Sequence, residues 1–139
     1  MSADDAPELT DEQLEFLNDC FDLARRGDNE RLLAIIDAGI PVNLTDHKGD
    51  TLLALAAYNS QSALVQALLD RGADPDRVNQ RGQSALACAL FVQDEDSVRA
   101  LLGAGADPLA GAMDAWQIVD FFQLEAMREL LPARPGEAD

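Results

Sequence analysis

The stretch that decides the fold is residues 46–79, DHKGDTLLALAAYNSQSALVQALLDRGADPDRVN. The sequence that follows repeats it with a shift of thirty-three positions and without a gap. The recurring features are a turn glycine, a double leucine and a Gly-Ala-Asp-Pro segment: Gly49 and Gly82, Leu68–Leu69 and Leu101–Leu102, and residues 72–75 and 105–108. Such self-similarity predicts a stacked array of repeats, because one unit of this size cannot bury its own apolar face.

The repeat resembles that of the ankyrin family, whose unit has thirty-three residues. In that family a first helix opens near T-P-L-H-x-A, and a second helix ends in a double leucine before Gly-Ala-Asp. Here the first helix opens at Thr51 as TLLALAA, and Ser84 takes the same place in the next unit. Leu52 and Ala54 replace the family's Pro and His, which predicts a looser hydrogen-bond network at this helix start. The resemblance covers roughly residues 12–131.

The resemblance implies an all-α ankyrin-repeat solenoid of about four helix-turn-helix units, with the first and last units acting as caps. The units fall at about residues 10–45, 46–78, 79–111 and 112–131 of a repeat domain spanning 10–131. The last unit is truncated, because its double leucine at 130–131 arrives four residues early. We expect flexible tails on both sides of the domain, an acidic one at 1–9 and a second one at 132–139.

The first helix has the features of an N-terminal cap. Thr10 and Gln13 have the spacing of a capping box at its start, and the helix is longer than a repeat requires. Apolar residues at three- and four-residue spacing predict one buried face along its length: Leu14, Phe16, Leu17, Cys20, Phe21 and Ala24.

The net charge of −16 on 139 residues argues against nucleic acid and anionic membranes as partners, because both require a basic face. No apolar run approaches the ~18 residues of a membrane span, and the acidic N-terminus lacks the apolar core of a secretory signal. Cys20 and Cys88 lie within apolar helical patterns, which is typical of small core residues in a reducing compartment. We therefore predict a cytoplasmic protein. One Lys against nine Arg indicates a GC-rich bacterial genome.

The sequence contains no constellation for catalysis or metal binding. His47 is the only histidine, whereas a zinc site or a catalytic relay needs several converging groups. The acidic residues 94–96 lack the alternating spacing of a calcium loop. The glycines of residues 103–106 are better explained as a helix end than as a phosphate loop. We predict no enzymatic activity, no metal and no cofactor.

The resemblance implies that a partner binds the concave face, which turn tips and the exposed side of the first helices form. The register places ten candidate partner-binding residues there: His47, Lys48, Asp50, Tyr58, Gln80, Arg81, Gln83, Phe91, Met113 and Trp116. Tyr58 and Phe91 are thirty-three residues apart and should be neighbours in one row of interface anchors. The alternative for Phe91 and Trp116 is the core of an imperfect cap. The alternative for the aligned cations Lys48 and Arg81 is that both are ordinary solvated turn residues.

These features predict a non-enzymatic protein–protein interaction module that acts as a monomer on another protein. One alternative is an acidic immunity- or escort-type protein whose charge neutralises a basic client. Another is an enzyme or small-ligand protein, for which the sequence offers no converging polar groups. If the chain pairs with itself, the apolar residues of the third and fourth repeats are the place: Phe91, Val92, Trp116, Phe121 and Leu124.

Overall fold

The computed structural model describes residues 10–136, and the described part contains eight helices. Their bounds are α1 Asp11–Arg26, α2 Asn29–Asp37, α3 Leu52–Tyr58, α4 Ser62–Asp70, α5 Ala85–Val92, α6 Glu95–Gly103, α7 Ala115–Phe121 and α8 Glu125–Arg128. The one extended pairing within this range is an isolated bridge between Thr45 and Thr51. The predicted all-α fold is confirmed. The predicted tail at 1–9, and residues 137–139 of the second tail, lie outside the described residues.

The helices form two layers. The inner layer stacks α1, α3, α5 and α7 in that order, and the outer layer stacks α2, α4 and α6. Because α3 lies between two inner helices and is backed by α4, every residue from Leu52 to Ala57 is buried. Alanines fill much of α3 and α5, since small side chains let stacked helices approach closely. The outer helices bury one face only, as Leu64, Val65 and Leu68 show in α4.

The helix starts keep the thirty-three-residue period. Thr51 accepts a hydrogen bond from the Ala54 N–H at 3.0 Å, and Ser84 accepts one from the Ala87 N–H at 3.1 Å. These caps satisfy donors that a helix start leaves unpaired. The loss of the family's Pro and His therefore leaves both starts capped. The capping box predicted for Thr10 and Gln13 is present as well.

The predicted apolar face of α1 is only partly buried. Its second half contributes Cys20, Phe21, Leu23 and Ala24 to the core, whereas Leu14 and Phe16 are exposed. The reason is length, because α1 has 16 residues and α2 has 9. After a two-residue turn, α2 runs back along the end of α1 and cannot cover its beginning.

The last unit is a shortened repeat. Its inter-helix turn has Gln123 at φ 56°, three residues earlier than the period set by Ser60 and Gln93 would place it. A capping box of Asp114 and Gln117 starts α7, and α8 is a single turn. Arg128 forms an ion pair with Asp120 and so connects these two helices.

Two properties of the described chain bear on its environment. None of its helices has the length and the apolar content that crossing a bilayer would require. Cys20 and Cys88 are buried free thiols in the core, as predicted.

Candidate partner-binding surface

Two successive turn tips are each organised by one short polar side chain. The Asp46 carboxylate accepts hydrogen bonds from the N–H groups of Lys48 and Asp50, both at 2.9 Å. Thirty-three residues later, the Asn79 side-chain oxygen accepts the equivalent bonds from Arg81 at 2.9 Å and Gln83 at 3.0 Å. Asp and Asn stabilise turns in this way because their side chains reach the backbone two residues on. The tips therefore hold their exposed side chains at defined positions.

Successive tips are bonded to each other. The Gln80 N–H donates to the Lys48 carbonyl at 3.0 Å, and the Gln80 side-chain amide donates to the His47 carbonyl at 2.8 Å. The next tip is also joined by a backbone bond, but donor and acceptor are each displaced by one residue from this register, since the Ala112 N–H donates to the Gly82 carbonyl at 2.8 Å. A Cβ atom on Gly82 would lie 2.6 Å from the Ala112 Cβ, so this approach requires glycine. The tips thus form one continuous wall of the concave face.

Three adjoining cavities lie beside this wall, and we call them together the concave groove. The polar cavity, of about 280 Å³, includes Arg25, Lys48 and Tyr58. The apolar cavity, of about 210 Å³, includes Phe91 and Met113. A middle cavity, also of about 210 Å³, connects the two, and Arg81 and Gln83 line all three. Eight of the ten predicted residues line the groove: His47, Lys48, Asp50, Tyr58, Arg81, Gln83, Phe91 and Met113.

Tyr58 and Phe91 line the same middle cavity, which agrees with their thirty-three-residue spacing. Tyr58 is the last residue of α3, and Phe91 occupies the last turn of α5. Their exposed fractions are 52% and 51%, so both present large ring surfaces to solvent. The Phe91 ring also contacts Phe122 edge-to-face, with centroids 5.4 Å apart.

The apolar cavity contains aromatic residues that the sequence did not assign to the groove. Phe122 lines this cavity beside Ile118, and Phe121 packs edge-to-face on Phe122 at 4.9 Å. Phe122 ends the mostly apolar run of residues 118–122, a pattern that by itself is typical of a core position. The truncation of the last repeat was the available signal, since a shortened unit leaves apolar side chains without a partner.

Trp116 and Gln80 are the two predicted residues that do not line the groove. Trp116 is only 5% exposed, and its indole N–H donates to the Pro132 carbonyl at 3.1 Å. The structure thus places Trp116 in the cap core and not on the partner-binding surface. Gln80 is exposed, but its amide is used to join two tips.

Asp50 lines the groove and is nevertheless buried. Its carboxylate accepts a hydrogen bond from the Asn79 amide at 2.7 Å. A buried carboxylate that already has an internal donor is less available to a partner. Its main role in the structure is therefore to connect two turns.

Cations dominate the accessible charge of the groove. The Asp46 side chain is nearly inaccessible and lies 3.6 Å from the guanidinium of Arg25. Lys48 and Arg81, by contrast, form no ion pair with any carboxylate in residues 10–136. Two unpaired cations thus lie beside exposed aromatic rings on a protein whose net charge is −16.

The groove lacks an activated nucleophile. Cys88 borders it, but burial, reinforced by the charge of Asp50, raises the pKa of the Cys88 thiol to about 11. The thiol is therefore protonated at neutral pH, whereas nucleophilic chemistry needs the thiolate. Among residues 10–136, no three His, Cys, Asp or Glu side chains are grouped as a metal site would require. The arrangement is suited to recognition by shape, apolar contact and positive charge.

Comparison with known proteins agrees with this architecture. A family model described as ankyrin repeats, three copies, matches residues 21–111. A protein of Pseudomonas aeruginosa whose name describes it as an ankyrin repeat protein is 47% identical to this chain over 60 residues. The alignment covers 43% of this chain and 35% of the relative, so the match spans about a third of the relative's length.

Proposed function

The chain belongs to the ankyrin repeat family, and on that basis we propose that it is a non-enzymatic module that binds a partner protein in the concave groove. Ankyrin repeats generally mediate protein–protein interactions, and the family is typically non-enzymatic. Because a repeat scaffold can bind many kinds of partner, the proposal depends on the surface of this particular chain.

One observation carries the proposal, namely the neighbouring exposed rings of Tyr58 and Phe91 above the groove. Packed helices fix the backbone from which both rings extend, and an aromatic side chain has few rotatable bonds to order on binding. Tyrosine and other large side chains that are rigidly presented are common energetic anchors of interfaces. Neither ring is needed to fill the core, because each is about half exposed.

The experiment compares the wild-type chain with the double variant Tyr58→Ala/Phe91→Ala as immobilised bait. Lysate of the organism that encodes the chain is passed over both, and retained proteins are quantified by mass spectrometry. The matched control is Phe16→Ala/Leu109→Ala, which removes apolar side chains of similar exposure outside the groove. Loss of two anchors should reduce retention of the specific partner by at least about tenfold.

Circular dichroism must show the same helical content in all three baits. Equal retention of the same proteins by the double variant and the wild type would contradict binding through these rings. A loss that also occurred with the control pair would point to general apolar adhesion instead.

The net charge of −16 favours a second candidate, an acidic immunity- or escort-type protein that neutralises a basic client. The basic client would then bind the acidic outer surface, and Tyr58→Ala/Phe91→Ala would leave its binding unchanged. Its affinity should fall steeply between about 0.1 M and about 1 M salt, because screening shortens the range of the charges. A salt-independent affinity would exclude this candidate.

We also propose that the protein acts in the cytoplasm and as a monomer. Two buried free thiols support a reducing environment. The exposed aromatic pair of Phe121 and Phe122 is the place where self-association would occur. Light scattering coupled to size exclusion should give the mass of one 15.0 kDa chain, and a doubled mass abolished by Phe121→Gln would contradict the monomer.

A further inference from the structure

We propose that the groove binds an acidic peptide segment of the partner, in which a carboxylate pairs with Arg81 and a neighbouring apolar side chain enters the apolar cavity. This inference rests on the proposed function and specifies the chemistry of the partner at the same site. It follows from the location of Arg81, from the internal use of the groove's own carboxylates, and from the lining of the adjoining cavity.

Arg81 lies where the three cavities meet, since it lines the polar, middle and apolar cavities alike. The backbone N–H of Arg81 donates to the side-chain oxygen of Asn79 at 2.9 Å, so the backbone from which the guanidinium extends is held in the turn. Its guanidinium forms no ion pair with any carboxylate of residues 10–136. A guanidinium presents a planar fork of donors that matches a carboxylate.

The carboxylates nearest to Arg81 in the groove are already engaged. Asp46 accepts two backbone N–H groups and lies beside Arg25. Asp50 accepts the Asn79 amide and is buried. These contacts leave both carboxylates with little exposed surface, although both line the polar cavity. Lys48 therefore adds a second accessible positive charge to the polar end of the groove.

The acidic residues of the outer helices do not cancel this local charge. Packed helices lie about 10 Å apart, and at ~0.15 M salt the screening length is about 8 Å. Charges on the outer helices are thus largely screened from the groove. A basic segment in the groove would instead place its cations against Lys48 and Arg81, and such like-charge contacts disfavour binding strongly.

The apolar cavity specifies the second half of the ligand. Arg81 is its one charged lining residue, and Phe91, Met113, Ile118 and Phe122 supply most of the rest. A protein cavity of about 150 Å³ is large enough for benzene. The 210 Å³ here can therefore take one aromatic or branched aliphatic side chain, next to the guanidinium that holds the carboxylate.

The test begins with a library of random twelve-residue peptides displayed on phage and selected against the intact chain. We expect enriched sequences to carry Asp or Glu next to Leu, Ile or Phe. Enrichment of Lys and Arg, enrichment without carboxylates, or no enrichment over Tyr58→Ala/Phe91→Ala as bait would each overturn the proposal.

A charge-specific variant then tests the role of Arg81. A selected peptide, labelled with fluorescein, should bind Arg81→Gln at least about tenfold more weakly than the wild type in fluorescence anisotropy, since a charge-assisted pair is lost. The same peptide with its acid replaced by the amide should bind both proteins equally. Arg99→Gln is the control, because Arg99 pairs with Glu95 on α6 outside the groove.

The outcomes separate this inference from the proposed function. If Arg81→Gln binds acidic and amide peptides as the wild type does, the acidic-segment proposal fails. The proposed function still stands in that case, provided that Tyr58→Ala/Phe91→Ala loses its partner from lysate. If neither variant changes partner retention, both proposals fail. Thermal unfolding must show that Arg81→Gln is folded, as the exposure of Arg81 leads us to expect.

Discussion

Asn79 donates a hydrogen bond of 2.7 Å from its side-chain amide to the carboxylate of Asp50, and this buried bond joins the turns of two neighbouring repeats. The side-chain oxygen of Asn79 meanwhile organises its own turn. Asp46, at the equivalent position of the preceding repeat, performs the turn-forming role, but its carboxylate side chain has no N–H to donate to a neighbouring turn. One amide thus supports both the turn that presents Arg81 and its junction with the turn before it.

Replacing Asn79 by Asp tests this bond. The variant keeps the acceptor for the Arg81 and Gln83 N–H groups. It removes the donor to Asp50 and places a second carboxylate next to that of Asp50. We expect a loss of about 2 kcal/mol or more in the free energy of unfolding, measured by urea titration. The matched control Asp46→Asn keeps the turn acceptor and should cost less than about 1 kcal/mol. Equal costs for the two variants would contradict a bridging role for Asn79.

Because Cys88 is buried, we expect the free energy of unfolding to depend on pH in the alkaline range. Burial raises its pKa from 9.0 to about 11, so the folded state holds its proton where the unfolded chain has lost it. The stabilising contribution is complete below pH 9 and is lost as the pH rises towards 11. It amounts to about 3 kcal/mol at most. Unfolding titrations should therefore show a smaller decline over this range for Cys88→Ala than for the wild type, and parallel declines would contradict this assignment.

Because Arg71 pairs with Asp37, we expect any stabilisation by this ion pair to depend on pH in the acidic range. Arg71 contacts both carboxylate oxygens of Asp37 across two repeats, at 2.8 and 3.1 Å, and the hydrogen bond lowers the pKa of Asp37. Any stabilisation is therefore present above the ordinary pKa of Asp and is lost as the pH falls through the lowered one. In an NMR titration, Arg71→Gln should raise the pKa of Asp37. An unchanged pKa would show that the pair does not form in solution.

Trp116 should affect stability without affecting binding. Trp116→Phe removes the hydrogen bond to Pro132 and should lower the free energy of unfolding by about 1 kcal/mol. Peptide binding should remain at the wild-type level, because the ring is buried in the cap. Phe91→Ala should have a similar stability cost of about 1 kcal/mol, from the lost contact with Phe122, but unlike Trp116→Phe it should weaken peptide binding. Reduced peptide binding by Trp116→Phe would contradict this assignment and indicate that Trp116 contributes to the interface.

How far the sequence could predict the site depended on whether the period applied. Tyr58 and Phe91 were paired correctly because identical positions in adjacent units must stack when the units stack. The same register assigned Trp116 to the surface in a unit that breaks the period. There α7 starts three residues earlier than the period requires, since its N-cap Asp114 follows the N-cap Ser84 by thirty residues, and the buried indole N–H donates to the Pro132 carbonyl. The prediction that Leu14 and Phe16 are buried was wrong for a related reason. An apolar stripe is buried only where a partner helix extends far enough to cover it.

The sequence by itself determined the family, the all-α class, the register and the row of Tyr58 and Phe91, since each follows from one period of local pattern. Tertiary structure alone decided which charges remain accessible. Asp50 is hidden by Asn79, which lies 29 residues away, while Arg81 is left without an internal partner in the described chain. Burial and ion pairing depend on distances between separate turns. Those distances are set by how the repeats stack, which no single repeat encodes.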